Sequence, residues 1–132
     1  MTLRPLSPTV WVAAQLSPDV MPALAASGVV RVISNRPDGE EPGQPAAAVM
    51  EAAATDAGLA FTWIPLSGLP GPGQVAAVAG LLADGVPTVM FCRSGMRSAA
   101  AWAMAERLNG ADAEDLREAA AAAGYDLSRI PL

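Results

Sequence analysis

Short apolar runs rich in Val, Ile and Phe alternate along the chain with longer Ala-rich stretches, and Gly, Pro, Asn or Asp punctuate most of the joins. The short runs predict strands at Val10 to Leu16, Val29 to Ser34, Leu59 to Leu66 and Pro87 to Phe91. The longer stretches predict helices at Ser17 to Gly28, Ala46 to Ala57, Gln74 to Ala83, Ser98 to Leu108 and Ala111 to Ala123. Ser17-Pro18-Asp19 carries a helix-start signature, a Ser cap followed by Pro and an acid. Gly28, Gly58, Gly110 and Gly124 mark helix ends. Asn35 to Pro45 and Ser67 to Gly73 are too dense in turn residues to be anything but loops.

Strand and helix alternating in this order predict an α/β domain of three layers, a mostly parallel four-stranded sheet flanked by helices. The length, 132 residues, suits one domain over the whole of 1–132. The last strand lacks polar alternation and is expected inside the sheet. The helix after it is apolar on nearly every side and is expected to be buried. Trp11, Trp63 and Trp102 read as core residues. Ligands of open parallel sheets bind beyond the carboxyl ends of the strands. Asn35-Arg36, Ser67-Gly68 and Cys92 sit at three such ends and are expected to converge.

Composition narrows the chemistry. The chain is 52% hydrophobic and 16% charged, a globular balance. Its net charge of −5 provides no long-range attraction to nucleic acid or anionic lipid. The basic residues are all Arg, which coding bias explains. No apolar run approaches the ~18 residues a membrane span needs, and the Pro-containing start does not resemble a signal peptide. One Cys excludes an internal disulfide, and the absence of His removes nitrogen metal ligands. The cytoplasm is the expected compartment, with no metal and no cofactor. The same counts exclude Ser-His-Asp and Cys-His catalysis, so any nucleophile is activated without imidazole.

The segment Phe91-Cys92-Arg93-Ser94-Gly95-Met96-Arg97-Ser98 answers that requirement. A buried strand runs into a tight turn and then a helix start. Backbone N–H groups of such a turn form an anion-binding nest, and the helix start adds the positive end of its dipole. Gly95 permits the turn. Arg93, Ser94, Gly95 and Met96 form the anion-binding loop, and Arg97 closes it with a planar guanidinium. These surroundings favour the thiolate of Cys92, the nucleophilic form. Ser98 is expected to donate its hydroxyl to that sulfur. Cys followed by Arg five positions later is weak evidence by itself, and an inert core cysteine is the competing reading. The apolar strand before it, the Gly within and the buried helix after it weigh against that reading.

These residues resemble the phosphatase-like domain of the beta-lactamase-hydrolase-like proteins, a bacterial family within the cysteine-phosphatase superfamily. The resemblance covers nearly the whole chain. It rests on Gln15-Leu16-Ser17-Pro18, Asn35-Arg36-Pro37-Asp38-Gly39-Glu40, Ile64-Pro65 and Cys92 through Ser98. It implies a dual-specificity-phosphatase-like fold with Cys92 as nucleophile, Arg97 as oxyanion binder and Ser98 as thiolate partner. The chain departs from ordinary cysteine phosphatases in three places. Four residues instead of five separate Cys92 from Arg97, Phe91 stands where they carry His, and the loop from Ser67 to Gly73 lacks their acid.

The four-residue spacing is instead that of rhodaneses, which carry sulfur as a cysteine persulfide. A shorter loop crowds a tetrahedral phosphoryl group yet accommodates a terminal sulfur, and sulfur transfer needs no acid to protonate an alkoxide. The leading expectation is therefore a sulfurtransferase working through a Cys92 persulfide. The alternatives are phosphoester hydrolysis through a Cys92 thiophosphate, and a non-catalytic module that binds an oxyanion or persulfide. The expected partner is a small oxyanion, persulfide or phosphoester. Asp38 is a candidate acid–base and Arg36 a candidate pocket residue, with a structural ion pair as the equal alternative for Arg36. Glu40 and Glu41 read as solvated turn acids. Asp84, before the last strand, lies at the wrong end of the sheet, and Tyr125 has no assignable role.

Overall fold

The computed structural model describes residues 1–132. Five strands form one sheet: β1 (Arg4–Ser7), β2 (Val10–Ala13), β3 (Arg31–Ser34), β4 (Ala60–Trp63) and β5 (Thr88–Phe91). Their order is β1-β2-β5-β3-β4, with β1 antiparallel to β2 and the other pairings parallel. The helices are α1 (Met21–Ala26), α2 (Ala47–Asp56), α3 (Pro72–Leu82), α4 (Met96–Leu108) and α5 (Ala113–Ala122), and a 3₁₀ turn at Pro18–Val20 precedes α1. The α/β class and the layered, mostly parallel sheet agree with the sequence reading.

β5 lies between β2 and β3, as its apolar run predicts. Side chains alternate across a strand. Val89 and Phe91 enter one core with Leu24, Val32 and Met50, on the side of α1 and α2. Met90 enters the other with Val12, Ile33, Val78 and Trp102, under α3, α4 and α5. A strand covered on both faces has no polar positions to alternate with. α4 is equally enclosed, with Ser98 to Ala103 and Ala105 all buried.

The sheet has five strands where the sequence predicts four. β1 escapes the pattern because it is a short edge strand containing Pro5, and its register shifts between Pro5 and Ser7. Pro is tolerated there because an edge strand needs no N–H on its free side. The first helix is interrupted: Ser17 precedes the 3₁₀ turn without capping it, and its hydroxyl goes to the Asp19 carboxylate instead. α4 begins two residues earlier than predicted, which puts Arg97 in its first turn. Of the three Trp residues only Trp102 is fully in the core; Trp11 is half-buried and Trp63 is 44% exposed.

Candidate active site

Cys92 is the first residue after β5 and is 0% exposed. Its sulfur accepts a hydrogen bond from the Gly95 N–H at 3.1 Å. Gly95 is the N-cap of α4, with φ +96° and ψ −14°. A left-handed backbone is costly for other residues. A Cβ here would also lie 2.2 Å from the Tyr125 hydroxyl and 3.3 Å from the Ala13 carbonyl. Both constraints require Gly. The loop is tied to β2 through Gln15 N–H and the Arg93 carbonyl at 3.3 Å. The Arg93 side chain is exposed and pairs with Glu41 at 3.6 Å, outside the cradle. Ser94 Oγ accepts from Met96 N–H at 3.4 Å, and Met96 packs against the core under α4.

Arg97 leaves the first turn of α4 and meets Glu40 end-on. Nη1 donates to Oε2 at 2.7 Å and Nη2 to Oε1 at 2.8 Å. Nη1 also donates to the Leu66 carbonyl at the exit from β4. A guanidinium has five N–H donors. Three are used in this way, leaving Nε–H and the second Nη2 hydrogen outside these bonds. The Glu40 carboxylate raises the pKa of Arg97, and the charge of Cys92 adds to the effect. Glu40 is bound from a second side by the buried Arg36, whose Nε donates to Oε1 at 3.0 Å. Arg36 also donates to Glu41 Oε1 at 2.7 Å and to Gln15 Oε1 at 3.1 Å. Arg97, and then Arg36, hold the Glu40 carboxyl at about 2 despite its partial burial. The Arg36 guanidinium, then Arg93, likewise lower Glu41.

The convergence expected of the loops is present, and one residue, through main chain and side chain, accounts for much of it. Asn35 is 0% exposed. Its N–H donates to the Phe91 carbonyl at 2.8 Å, its Nδ2 to the Ile64 carbonyl at 3.0 Å, and its carbonyl accepts from Leu66 N–H at 2.8 Å. Its Oδ1 accepts from Ser98 Oγ at 2.8 Å. This buried set ties the exits of β3, β4 and β5 to the start of α4.

Two expectations are corrected by these contacts. A hydroxyl has one proton to give, and Ser98 gives it to Asn35, so it is not the donor to the thiolate. Asp38 accepts from Ala47 N–H at 2.8 Å and so serves the start of α2, away from the cradle. Arg36 is a structural ion pair, one of the two roles open to it. Asp84 is paired with Arg31 at the other end of the sheet, as its position before β5 implies.

Three residues hold roles at the site that differ from, or go beyond, their reading in the sequence. Glu40 clamps Arg97 from 57 positions away. Asn35, placed among the converging loops by its position after an apolar strand, also ties those strand exits together. Tyr125, beyond α5, donates its hydroxyl to the Ser94 carbonyl at 3.2 Å. Nothing in the sequence near Tyr125 points to the cradle.

Residues 2–109 match the sequence profile of the family described as beta-lactamase hydrolase-like protein, phosphatase-like domain. A beta-lactamase hydrolase-like protein of Agrobacterium fabrum is 33% identical over 109 residues; the match covers 80% of this chain and 25% of that relative. The chain thus corresponds to about a quarter of the curated relatives it matches. A solved candidate phosphatase from Neisseria meningitidis is 26% identical, with a TM-score of 0.81 over 98% of this chain and 93% of that one. TpbA of P. aeruginosa, solved with phosphotyrosine, shares the fold at 20% identity and a TM-score of 0.67, over 97% of this chain and 77% of its own.

Proposed function

The chain belongs to the family of the beta-lactamase hydrolase-like protein, phosphatase-like domain; from that membership we propose that it is a thiolate enzyme that carries a group covalently on Cys92, and from the state of its acids that the group is a sulfane sulfur. The observation that carries the choice of sulfur is the state of Glu40. The acids brought to this end of the sheet are already engaged: Glu40 by Arg97 and Arg36, Glu41 by Arg36 and Arg93, and Asp38 by the start of α2. Glu40 is held as a carboxylate at any pH well above 2, so it has no proton for a departing alkoxide. General acid catalysis typically contributes ~10²–10⁴-fold to such a step. Sulfur transfer does without it.

In that reaction the Cys92 thiolate attacks the outer sulfur of a donor such as thiosulfate. The S–S bond of the donor breaks, sulfite leaves with the electron pair, and a Cys92 persulfide forms. An acceptor thiolate or cyanide then attacks the terminal sulfur and returns the Cys92 thiolate. Gly95 N–H, the start of α4 and the free edge of Arg97 stabilise the sulfur anion in both steps.

The relatives support a second reading, phosphoester hydrolysis through a Cys92 thiophosphate. The family description, the Neisseria neighbour and the shared cysteine-phosphatase fold all favour it, and the two free donors of Arg97 suit phosphoryl oxygens. It calls for leaving groups stable enough to depart unprotonated. The two readings separate in one experiment. The reduced protein is incubated with thiosulfate and weighed intact, and its kcat/KM for thiosulfate-to-thiol transfer is compared with that for aryl phosphate hydrolysis. The expected result is a gain of one sulfur on Cys92 and faster sulfur transfer, with both activities abolished by Cys92→Ser. Efficient hydrolysis of phosphotyrosine peptides without persulfide formation establishes the phosphatase instead.

A further inference from the structure

The Ser94–Gly95 peptide is held from both sides. Its N–H points at the nucleophile, Gly95 N to Cys92 Sγ at 3.1 Å. Its carbonyl, Ser94 O, accepts the Tyr125 hydroxyl at 3.2 Å. A trans peptide is planar, and its C=O and N–H point in opposite directions. Fixing one therefore aims the other. The Gly at this position makes the constraint necessary, because Gly alone leaves the peptide free to rotate. Here φ is +96°, and the space a Cβ would fill is taken by the Tyr125 hydroxyl at 2.2 Å and its ring carbon at 3.0 Å.

From this we infer that Tyr125 is a positioning residue for the nucleophile: its hydroxyl holds the Ser94 carbonyl so that the Gly95 N–H stays aimed at Cys92. Tyr125 is itself held in place by β1. Arg4 of β1 lies 5.7 Å from the centre of its ring and donates through Nη1 to the Ala123 carbonyl at 2.9 Å. Gly124, with φ +94°, leaves room for that guanidinium, which would stand 2.5 Å from a Cβ. The phenol remains a donor: burial raises its pKa above the ordinary value, and the charge of Cys92 acts in the same direction against Arg4. Residues 110–132 fall outside the stretch matched by the family profile, so the support comes from a segment that the family match does not cover.

The inference rests on Cys92 being the nucleophile proposed above, but not on which group it carries, so the test uses alkylation instead of turnover. The charged groups on this loop and the elements packed against it are Arg97 on α4, Arg93 and its partner Glu41, Glu40 behind Arg97, and Arg4 behind Tyr125. Tyr125→Phe keeps the ring and removes only the hydroxyl. The rate of Cys92 alkylation by iodoacetamide is measured across pH in wild type and variant, with unfolding midpoints alongside. Weakening one hydrogen bond to a charged sulfur corresponds to about a tenfold effect. The expected variant alkylates about tenfold more slowly near neutral pH. Superimposable profiles overturn the role of Tyr125. A wild-type Cys92 that does not react overturns the nucleophile and this role together.

A second measurement keeps the test open should the Phe variant fold poorly. Tyr125 is the one tyrosine in the chain, so uniform 3-fluorotyrosine incorporation labels this site alone. Its fluorine resonance is expected to move when Cys92 is deprotonated and again when it is alkylated. A resonance indifferent to both overturns the inference.

Discussion

Replacing Glu40 by Gln tests the electrostatic reading of the site. The substitution keeps the shape and removes the charge that Arg97 and Arg36 share. A carboxyl lowered from 4.5 to about 2 corresponds to at most about 3 kcal/mol of native-state stabilisation at neutral pH. The Glu40 side chain is 26% exposed, and screening reduces that to about 1–2 kcal/mol. For a domain of this size the loss corresponds to a fall in unfolding temperature of about 3–8 °C at pH 7. The sign of the pH dependence follows from linkage. The folded-state carboxyl titrates below its unfolded value, so its contribution is complete above pH 5. It declines as pH falls through 4.5 towards 2 and is absent below that. Urea midpoints of wild type and Glu40→Gln should therefore differ most at pH 7, approach each other as pH falls below 4.5 and converge at about pH 2 or below. The amide oxygen accepts from only one edge of Arg97, so turnover should also fall, by about tenfold. A difference between the two proteins that is as large at pH 3 as at pH 7, or no difference at pH 7, would refute the assignment of Glu40 as the charged clamp on Arg97.

Two further substitutions probe the same frame. Arg97→Lys should lose at least about tenfold in turnover, because one ammonium cannot hold Glu40 end-on and also present a planar pair of donors; steady-state kinetics approaching wild type would show that the guanidinium fork is not needed. Ser98→Ala should leave Asn35 Oδ1 buried without its donor and lower stability by about 1–3 kcal/mol, while slowing attack by Cys92 and departure from it to the same small extent; rapid mixing that shows a selective effect on departure would restore a direct contact between Ser98 and the sulfur.

The layered α/β fold, the central place of β5 and the turn that joins Cys92 to Arg97 were legible in the chain before it was folded. Each is a local property. Periodicity declares strands and helices, a strand covered on both faces cannot conceal its lack of polar positions, and Cys92, Gly95 and Arg97 act within one turn of each other. The remaining assignments depend on partners far apart in the chain and emerge only on folding. Asp38 and Glu40 lie two residues apart in the same loop, and the sequence favours Asp38 as the acid of the site and Glu40 as a solvated turn residue. One ends at the start of α2 and the other on Arg97, because the fold of that loop determines which carboxylate meets the guanidinium. Ser98 is correctly placed for the sulfur by position alone, but Asn35, 63 residues earlier, takes its proton. Tyr125 is drawn to the cradle only because the chain returns past β1 after α5. A hydroxyl or carboxylate of given sequence has several possible partners, and its one proton or charge goes to whichever the packed backbone brings within about 3 Å.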